Sequence, residues 1–220
     1  MNNNHQWQAD SLNPLQEGDS KTWFEQHPEN HKSLSFIFWG VILTFFLKGI
    51  PGMVLDLIGA ILIVFGTDKL VKENAGNSAF FRARQGAFLL SIVRALVLVA
   101  EILVSKESVW RLVVSFFFMV PDLLALTLVL YSIGSGICHL EQQHGADFGG
   151  QKLLNRAKQY SIAIAMLIVI EMSLIMGMGG GMFAMIGLFT SIVSTIILVI
   201  YLYRLYRTQS LYAEWRNAAA

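Results

Sequence analysis

Five ionisable side chains lie within or beside long apolar runs of the chain, where they could take part in ion chemistry. Arg94, Asp122 and Glu171 stand near the middle of three such runs. Glu101 stands near the end of the run that holds Arg94, and Asp56 stands in the first apolar block. A charged group at membrane depth costs about 2.5–3.5 kcal/mol or more, so each of these groups needs a partner or a function. The residue types predict an intramembrane polar cluster drawn from these five residues.

Two interpretations of this cluster are open. If Arg94 is balanced by Asp122 or Glu171, one acid remains that could carry a proton or a cation, as in a transport site. Alternatively, charge-assisted hydrogen bonds hold three helices together and no ligand binds. The spacing of Arg94 and Glu101 places both on one face of a helix. Pro121, directly before Asp122, favours a functional site because proline leaves a backbone carbonyl one turn earlier without its usual partner.

Other patterns that could do chemistry are weaker. Glu141 and His144 have the Glu-x-x-His spacing of di-iron helices, but that chemistry needs two copies and the chain has one. The run from Ser132 to Gly136 resembles the Gly-x-Ser-x-Gly motif of hydrolases but fails on spacing. Its small residues favour close approach of two helices instead. We therefore predict no catalytic residue, no metal site and no cofactor, and the motifs weigh against an enzyme.

The composition indicates which elements must position these residues. Of 220 residues, 55% are hydrophobic and only 14% are charged, and the mean hydropathy is +0.54. A soluble domain has about 25% charged residues, so most of this chain is not built to face water. The formal net charge of +1 shows no basic excess that would indicate a nucleic-acid partner. A single cysteine, Cys138, excludes an intrachain disulfide.

The apolar runs predict an all-α, polytopic transmembrane helical bundle. A bilayer core needs roughly 20 apolar residues in a helix, and four runs have that length. The first apolar block, residues 34–66, is too long for one crossing and contains the turn-forming sequence Lys48-Gly49-Ile50-Pro51-Gly52. It predicts a short hairpin of two segments, with a re-entrant hairpin as the alternative. The six predicted segments are 34–48, 52–67, 86–104, 112–137, 160–176 and 182–203. A polar tail (1–33) precedes this transmembrane domain (34–206), and a second tail (207–220) follows it.

The distribution of lysine and arginine predicts the orientation. Twelve of them fall on one side of the predicted topology, namely Lys21, Lys32, Lys69, Lys72, Arg82, Arg84, Lys152, Arg156, Lys158, Arg204, Arg207 and Arg216. Three fall on the other, namely Lys48, Lys106 and Arg111. The basic side of a membrane protein is the cytoplasmic side, so both termini are expected in the cytoplasm. Aromatic residues at predicted segment ends are expected at the level of the lipid headgroups, namely Trp110, Tyr160, Tyr201, Tyr203 and Tyr206.

One part of the chain resembles a known family. The run Asp56-Leu57-Ile58-Gly59-Ala60-Ile61-Leu62-Ile63 is followed by Gly66 and by Lys69-Leu70, and it is flanked by Trp39-Gly40 and Phe81-Arg82-Ala83-Arg84. This pattern, over residues 34–84, is similar to an uncharacterised family of small multi-pass membrane proteins of Gram-positive bacteria. The chain departs from that pattern at Leu55, where a proline is usual, and at Leu57 and Ala60, where aromatic residues are. The resemblance implies a bacterial plasma-membrane protein and implies no activity.

Two classes of function are compatible with these features. The first is a small transporter, or the membrane subunit of one, that binds a substrate or ion near Arg94, Asp122 and Glu171. The second is a non-catalytic membrane partner or regulatory subunit, which assembles with another membrane protein or with copies of itself. The first predicts a polar cavity at mid-depth, and the second predicts a tightly packed interior and a conspicuous outer face of small residues. In both cases the surroundings are the lipid bilayer of the plasma membrane.

Overall fold

The computed structural model describes residues 30–46, 50–103, 109–175 and 180–219. Apart from short connections, these residues are α-helical. The six helices are α1 (Asn30–Phe46), α2 (Ile50–Glu73), α3 (Ser78–Leu103), α4 (Val109–His144), α5 (Gly150–Ile175) and α6 (Gly181–Ala219). The all-α prediction is therefore confirmed for this part of the chain. Three parts of the predicted organisation lie outside the described residues: the N-terminal tail up to residue 29, Lys48-Gly49 of the predicted turn, and residues 177–179 between the fifth and sixth predicted segments.

The helices form a closed ring. Each helix packs against its neighbour in sequence, and α1 also packs against α6. Large apolar side chains fill the interior, where Ile37, Phe80, Leu126, Leu153 and Leu198 are almost completely buried. Such a ring places the polar side chains of α2, α3 and α4 within reach of one another.

The outer surface of the bundle is apolar as well. Many large hydrophobic side chains are exposed along α3, α4 and α6, for example Ile102, Phe117 and Met185. Four helical stretches are long and apolar enough to cross a membrane: Ser78–Leu103, Phe117–Gln143, Gly150–Leu174 and Gly181–Leu211. A helix that is apolar on both its inner and outer faces is typical of a membrane-embedded bundle. The structure thus supports a multi-pass membrane protein.

Helix boundaries differ from the predicted segments where polar residues continue a helix. The second predicted segment, 52–67, lies inside α2, which has 24 residues and is about 36 Å long. Pro51 is accommodated in the first turn of α2, where no intrahelical N–H bond is lost. The helix that contains the fifth predicted segment, α5, begins at Gly150, ten residues before that segment, and α6 continues to Ala219. Hydropathy marks only the apolar part of each helix, whereas backbone hydrogen bonding and packing extend it further.

The longer helices bring six elements together at one end of the bundle. A small apolar cavity is lined by Leu34 of α1, Leu70 of α2, Phe80 of α3, Ile137 and Leu140 of α4, Phe148 of the α4–α5 connection and Thr208 of α6. We call this end, which holds the start of α1, the α2–α3 and α4–α5 connections and the last third of α6, the connection end. The first helix therefore begins at the same end of the bundle at which the last helix finishes.

Glycines bring α1 and α2 into backbone contact. A methyl group added at Gly59 would lie 2.6 Å from the carbonyl oxygen of Gly40, and one added at Gly40 would lie 2.6 Å from the carbonyl oxygen of Gly59. Two turns further on, a methyl group at Gly66 would lie 2.7 Å from the carbonyl oxygen of Ser33. Close packing of small residues is a common means of helix association in membranes. The α1–α2 hairpin is therefore held at a separation that only glycine permits.

Candidate functional site

Arg94 of α3 joins two acids from the helices on either side of it. Its Nε and Nη2 donate to the two carboxylate oxygens of Asp122 on α4, at 2.5 and 2.8 Å. Its Nη1 lies 3.1 Å from Oδ2 of Asp56 on α2. The guanidinium and the Asp122 carboxylate meet as two parallel forks, which is the strongest geometry for this pair. We refer to Asp56, Arg94 and Asp122 as the Arg94 cluster.

The Arg94 cluster lies largely inside the protein. The side chains of Arg94, Asp122 and Asp56 are 13%, 19% and 26% exposed, so the screening by water that weakens surface ion pairs is reduced. When both acids are ionised, two carboxylates face one guanidinium and the cluster carries one net negative charge. The pairing is also unequal, because Asp122 has two contacts with the guanidinium and Asp56 has one.

Several buried polar atoms of this region have no hydrogen-bond partner among the described residues. Oδ1 of Asp56 is one, and the hydroxyl of Tyr160 on α5 is another. Tyr160 is 1% exposed, and its hydroxyl is close enough to the cluster for the charges of both Asp122 and Arg94 to act on it. The hydroxyl of Ser91, one turn before Arg94, is also without a partner. Buried polar groups are nearly always hydrogen-bonded, so this concentration of exceptions calls for a physical reason.

The remaining predicted site residues lie apart from the cluster. Glu171 on α5 is half-buried and forms no ion pair with Arg94 among the described residues. Glu101 lies two turns beyond Arg94 on the same helix, about 10 Å along the axis. Of the acids considered from sequence, the structure therefore brings Asp122 and Asp56 to Arg94 and leaves Glu171 and Glu101 elsewhere.

Tyr160 and Tyr201, which were expected at the headgroup level, do not face the outside of the bundle. Both are buried, and the Tyr201 hydroxyl donates to the carbonyl oxygen of Leu130 across the bundle at 2.9 Å. Tyr160 is far from the start of its helix because α5 begins at Gly150. Helical spacing could have predicted the burial of Tyr160, since Leu153, Ala157 and Tyr160 form one buried stripe along α5.

Glu141 of the Glu-x-x-His pattern has a structural role. Glu141 Oε1 accepts hydrogen bonds from the backbone N–H groups of Phe148 and Gly150, both at 2.7 Å, and so holds the start of α5 against the end of α4. Within the described ranges, no group of three His, Cys, Asp or Glu side chains could hold a metal ion. The prediction for the small residues near Ser132 is confirmed, since Gly134 faces the backbone of Leu154 on α5 and Gly136 faces the ring of Phe80 on α3.

Comparisons with known proteins assign no relative to this chain. No protein-family model, no curated protein and no solved structure matches it. The resemblance over residues 34–84 stays a prediction, and any functional conclusion must rest on the residues and their geometry.

Proposed function

We propose that the chain is a small transporter, or the membrane subunit of one, whose ion site is the Arg94 cluster. The observation that carries this proposal is the unequal state of the two acids. Asp122 is paired at both oxygens, whereas Oδ1 of Asp56 is buried and has no donor among the described residues. An anionic oxygen away from water and without a donor is costly, and a bound proton or monovalent cation removes that cost.

Asp56 and Asp122 then have different roles. The Arg94–Asp122 pair is neutral and keeps the guanidinium in position. Asp56 uses the same guanidinium through a single oxygen and exchanges the transported ion at the other. The buried hydroxyl of Tyr160, on which the charges of Asp122 and Arg94 act, supplies an oxygen atom that can orient a proton or help to coordinate a cation. Ionisable groups of this kind inside a membrane bundle are typical of ion and proton pathways.

The test is ion flux in proteoliposomes that contain the purified protein. Asp56→Asn removes the exchanging carboxyl and keeps its size, so we expect folded protein with no flux of protons, Na⁺ or K⁺. Asp68→Asn is the matched control because Asp68 lies on the same helix and is paired with Lys72 and Arg84. Flux retained in Asp56→Asn, or absent from the unaltered protein with all three ions, would count against the proposal. A purely structural clamp predicts instead that Arg94→Ala lowers folded yield while no variant changes an ion flux.

For the topology we propose six crossings of the plasma membrane, with both termini in the cytoplasm. The arrangement of the helix ends supports it, since α1 begins and α6 finishes at the connection end. That end also holds basic residues such as Lys72, Arg84 and Lys152. The test is a single cysteine at the exposed Gln143 in a Cys138→Ser background, treated with an impermeant thiol reagent. We expect labelling only after the cells are permeabilised, and labelling of intact cells would contradict this orientation.

A second function, that of a non-catalytic partner or regulatory subunit, is favoured by the start of α6. All residues from Gly181 to Ile186 are exposed, so this part of the helix shows apolar surface on every side rather than on one lipid-facing stripe. Purification from the native membrane in a mild detergent, followed by mass spectrometry, tests this function. A stoichiometric membrane partner would support a subunit, and protein that purifies alone would favour a transporter that acts by itself.

A further inference from the structure

A second polar site lies at the connection end, away from the Arg94 cluster. It is a groove of about 220 Å³ between the α4–α5 connection and α6. Three basic side chains line it: Lys152 from the first turn of α5, and Arg204 and Arg207 from α6. We call it the basic groove. Among the described residues, these three cations form no ion pair with an acid, so their charge is available to a ligand.

The walls of the basic groove are fixed by hydrogen bonds. Thr208 of α6 donates from Oγ1 to the carbonyl oxygen of Phe148 at 2.9 Å, and this bond is buried. Glu141 accepts the backbone N–H groups on both sides of Gly149, as described above. Gly149 itself has a φ of +83°, a conformation that L side chains rarely adopt. The connection is therefore a rigid element that sets the distance between Lys152 and the arginines of α6.

Asp147 is the one acid among the residues that line the basic groove, and one of its carboxylate oxygens already accepts a hydrogen bond. Oδ1 of Asp147 accepts the N–H of Gly149 at 2.9 Å, an interaction within its own turn. Three cations against one acid leave a net positive groove. Two of the cations are arginines, whose planar forks match the tetrahedral oxygens of a phosphate group. Lys152 adds a compact charge from the opposite wall.

The surroundings of the groove favour a lipid as the source of that phosphate. Tyr203 and Tyr206, next to the two arginines on α6, are 61% and 56% exposed, and exposed tyrosines prefer the headgroup level of a bilayer. Leu211 extends the lining with an apolar side chain. From the charge, the rigid wall and these neighbours, we infer that the basic groove binds a phosphate group, supplied by the headgroup of an anionic phospholipid. Free inorganic phosphate has the same chemistry and is the other source to be tested.

The test uses the purified full-length protein in a neutral detergent. Its binding to short-chain phosphatidylglycerol, short-chain phosphatidylcholine and inorganic phosphate is measured by thermal unfolding and by native mass spectrometry. The groove variant is Lys152→Gln with Arg207→Gln. The control variant is Arg82→Gln with Lys158→Gln, which removes the same two charge types from exposed positions outside the groove.

We expect phosphatidylglycerol to raise the melting temperature and to be retained at one molecule per chain. Each basic residue near an anionic lipid contributes about 1 kcal/mol, so the groove variant should bind about tenfold or more weakly while the control is unchanged. Stabilisation by inorganic phosphate, lost in the groove variant only, would support phosphate recognition with a soluble source. Equal loss in both variants, or equal stabilisation by phosphatidylcholine, would overturn the inference because binding would then be non-specific. Ion flux through the Arg94 cluster is a separate readout that these variants leave testable.

Discussion

Removing Asp122 from the Arg94 cluster should destabilise the protein much more than removing Asp56. Asp122→Asn takes away a bidentate partner and leaves Arg94 with the single contact to Asp56. Breaking a buried ion pair by removing one partner costs about 3–5 kcal/mol. Because the Arg94 and Asp122 side chains are 13% and 19% exposed, the pair is not fully enclosed by protein, and we expect a cost at or below the lower end of this range, about 2–3 kcal/mol.

Asp56→Asn leaves the bidentate pair intact and removes an oxygen that has no donor among the described residues. The variant loses one charge-assisted contact of about 1.5–3 kcal/mol and gains most of that back by no longer burying an unpaired anionic oxygen. We expect a net change of about 1 kcal/mol or less. The two variants should therefore differ by about 2 kcal/mol, or roughly 4–8 °C in melting temperature for a chain of this size.

The assay is thermal unfolding in detergent, followed by circular dichroism and by the monodispersity of the sample. The triple variant with Asp56→Leu, Arg94→Leu and Asp122→Leu is the control, since replacing every member of a buried ion-pair triad by apolar groups is often neutral or stabilising. If Asp56→Asn is as unstable as Asp122→Asn, the two acids are equivalent and the assignment of Asp56 as the exchanging group is wrong.

Three further predictions concern the rest of the bundle. Gly59→Ala should lower the melting temperature by several degrees, because its methyl group would meet a carbonyl oxygen of α1 at 2.6 Å, whereas Gly181→Ala, with open space around it, should be close to neutral. Tyr201→Phe should cost about 1 kcal/mol through loss of its buried hydrogen bond, and Tyr160→Phe should cost nothing or stabilise. The hydrogen bond from Lys72 holds the pKa of Asp68 below its usual value. The folded pKa of Asp68 is lower than its unfolded value of 3.8, so this hydrogen bond adds a small stabilisation of the fold that is present above pH 3.8. The stabilisation is lost as the pH falls through the folded pKa. A pH series of unfolding measurements on Asp68→Asn should lack this pH dependence.

The sequence could predict the helices because apolar length is a local property. It also indicated that Arg94 needs an acid, and Asp122 lies at a similar depth in the next apolar run. It could not decide between Asp122 and Glu171 as the partner, since that choice depends on which helices are neighbours. A bundle that is apolar on both faces gives little periodic signal about its packing. Both acids lie on helices that can reach the site, since Tyr160 of α5 is close to the cluster, but Glu171 lies eleven residues, or about 16 Å, further along α5.

Asp56 was among the residues predicted for the polar cluster, but its contact with Arg94 was not predicted. The predicted segment 52–67 was short, so Asp56 stood close to its end, where no partner on the next segment was indicated. In the structure α2 has 24 residues and begins at Ile50, so Asp56 lies in its second turn and faces α3. The same limitation affected Tyr160, because the polar first turns of α5 are helical although hydropathy assigned them to a loop.

The most direct test of the account is infrared difference spectroscopy on the reconstituted protein, recorded between acidic and alkaline pH and with or without Na⁺ or K⁺. The account predicts that one buried carboxyl changes its vibrational signal on binding a proton or a cation. This signal should be absent in Asp56→Asn and present in Asp68→Asn, whose carboxylate lies outside the Arg94 cluster. A signal that persists unchanged in Asp56→Asn would show that the ion binds elsewhere and would contradict the proposed role of the Arg94 cluster.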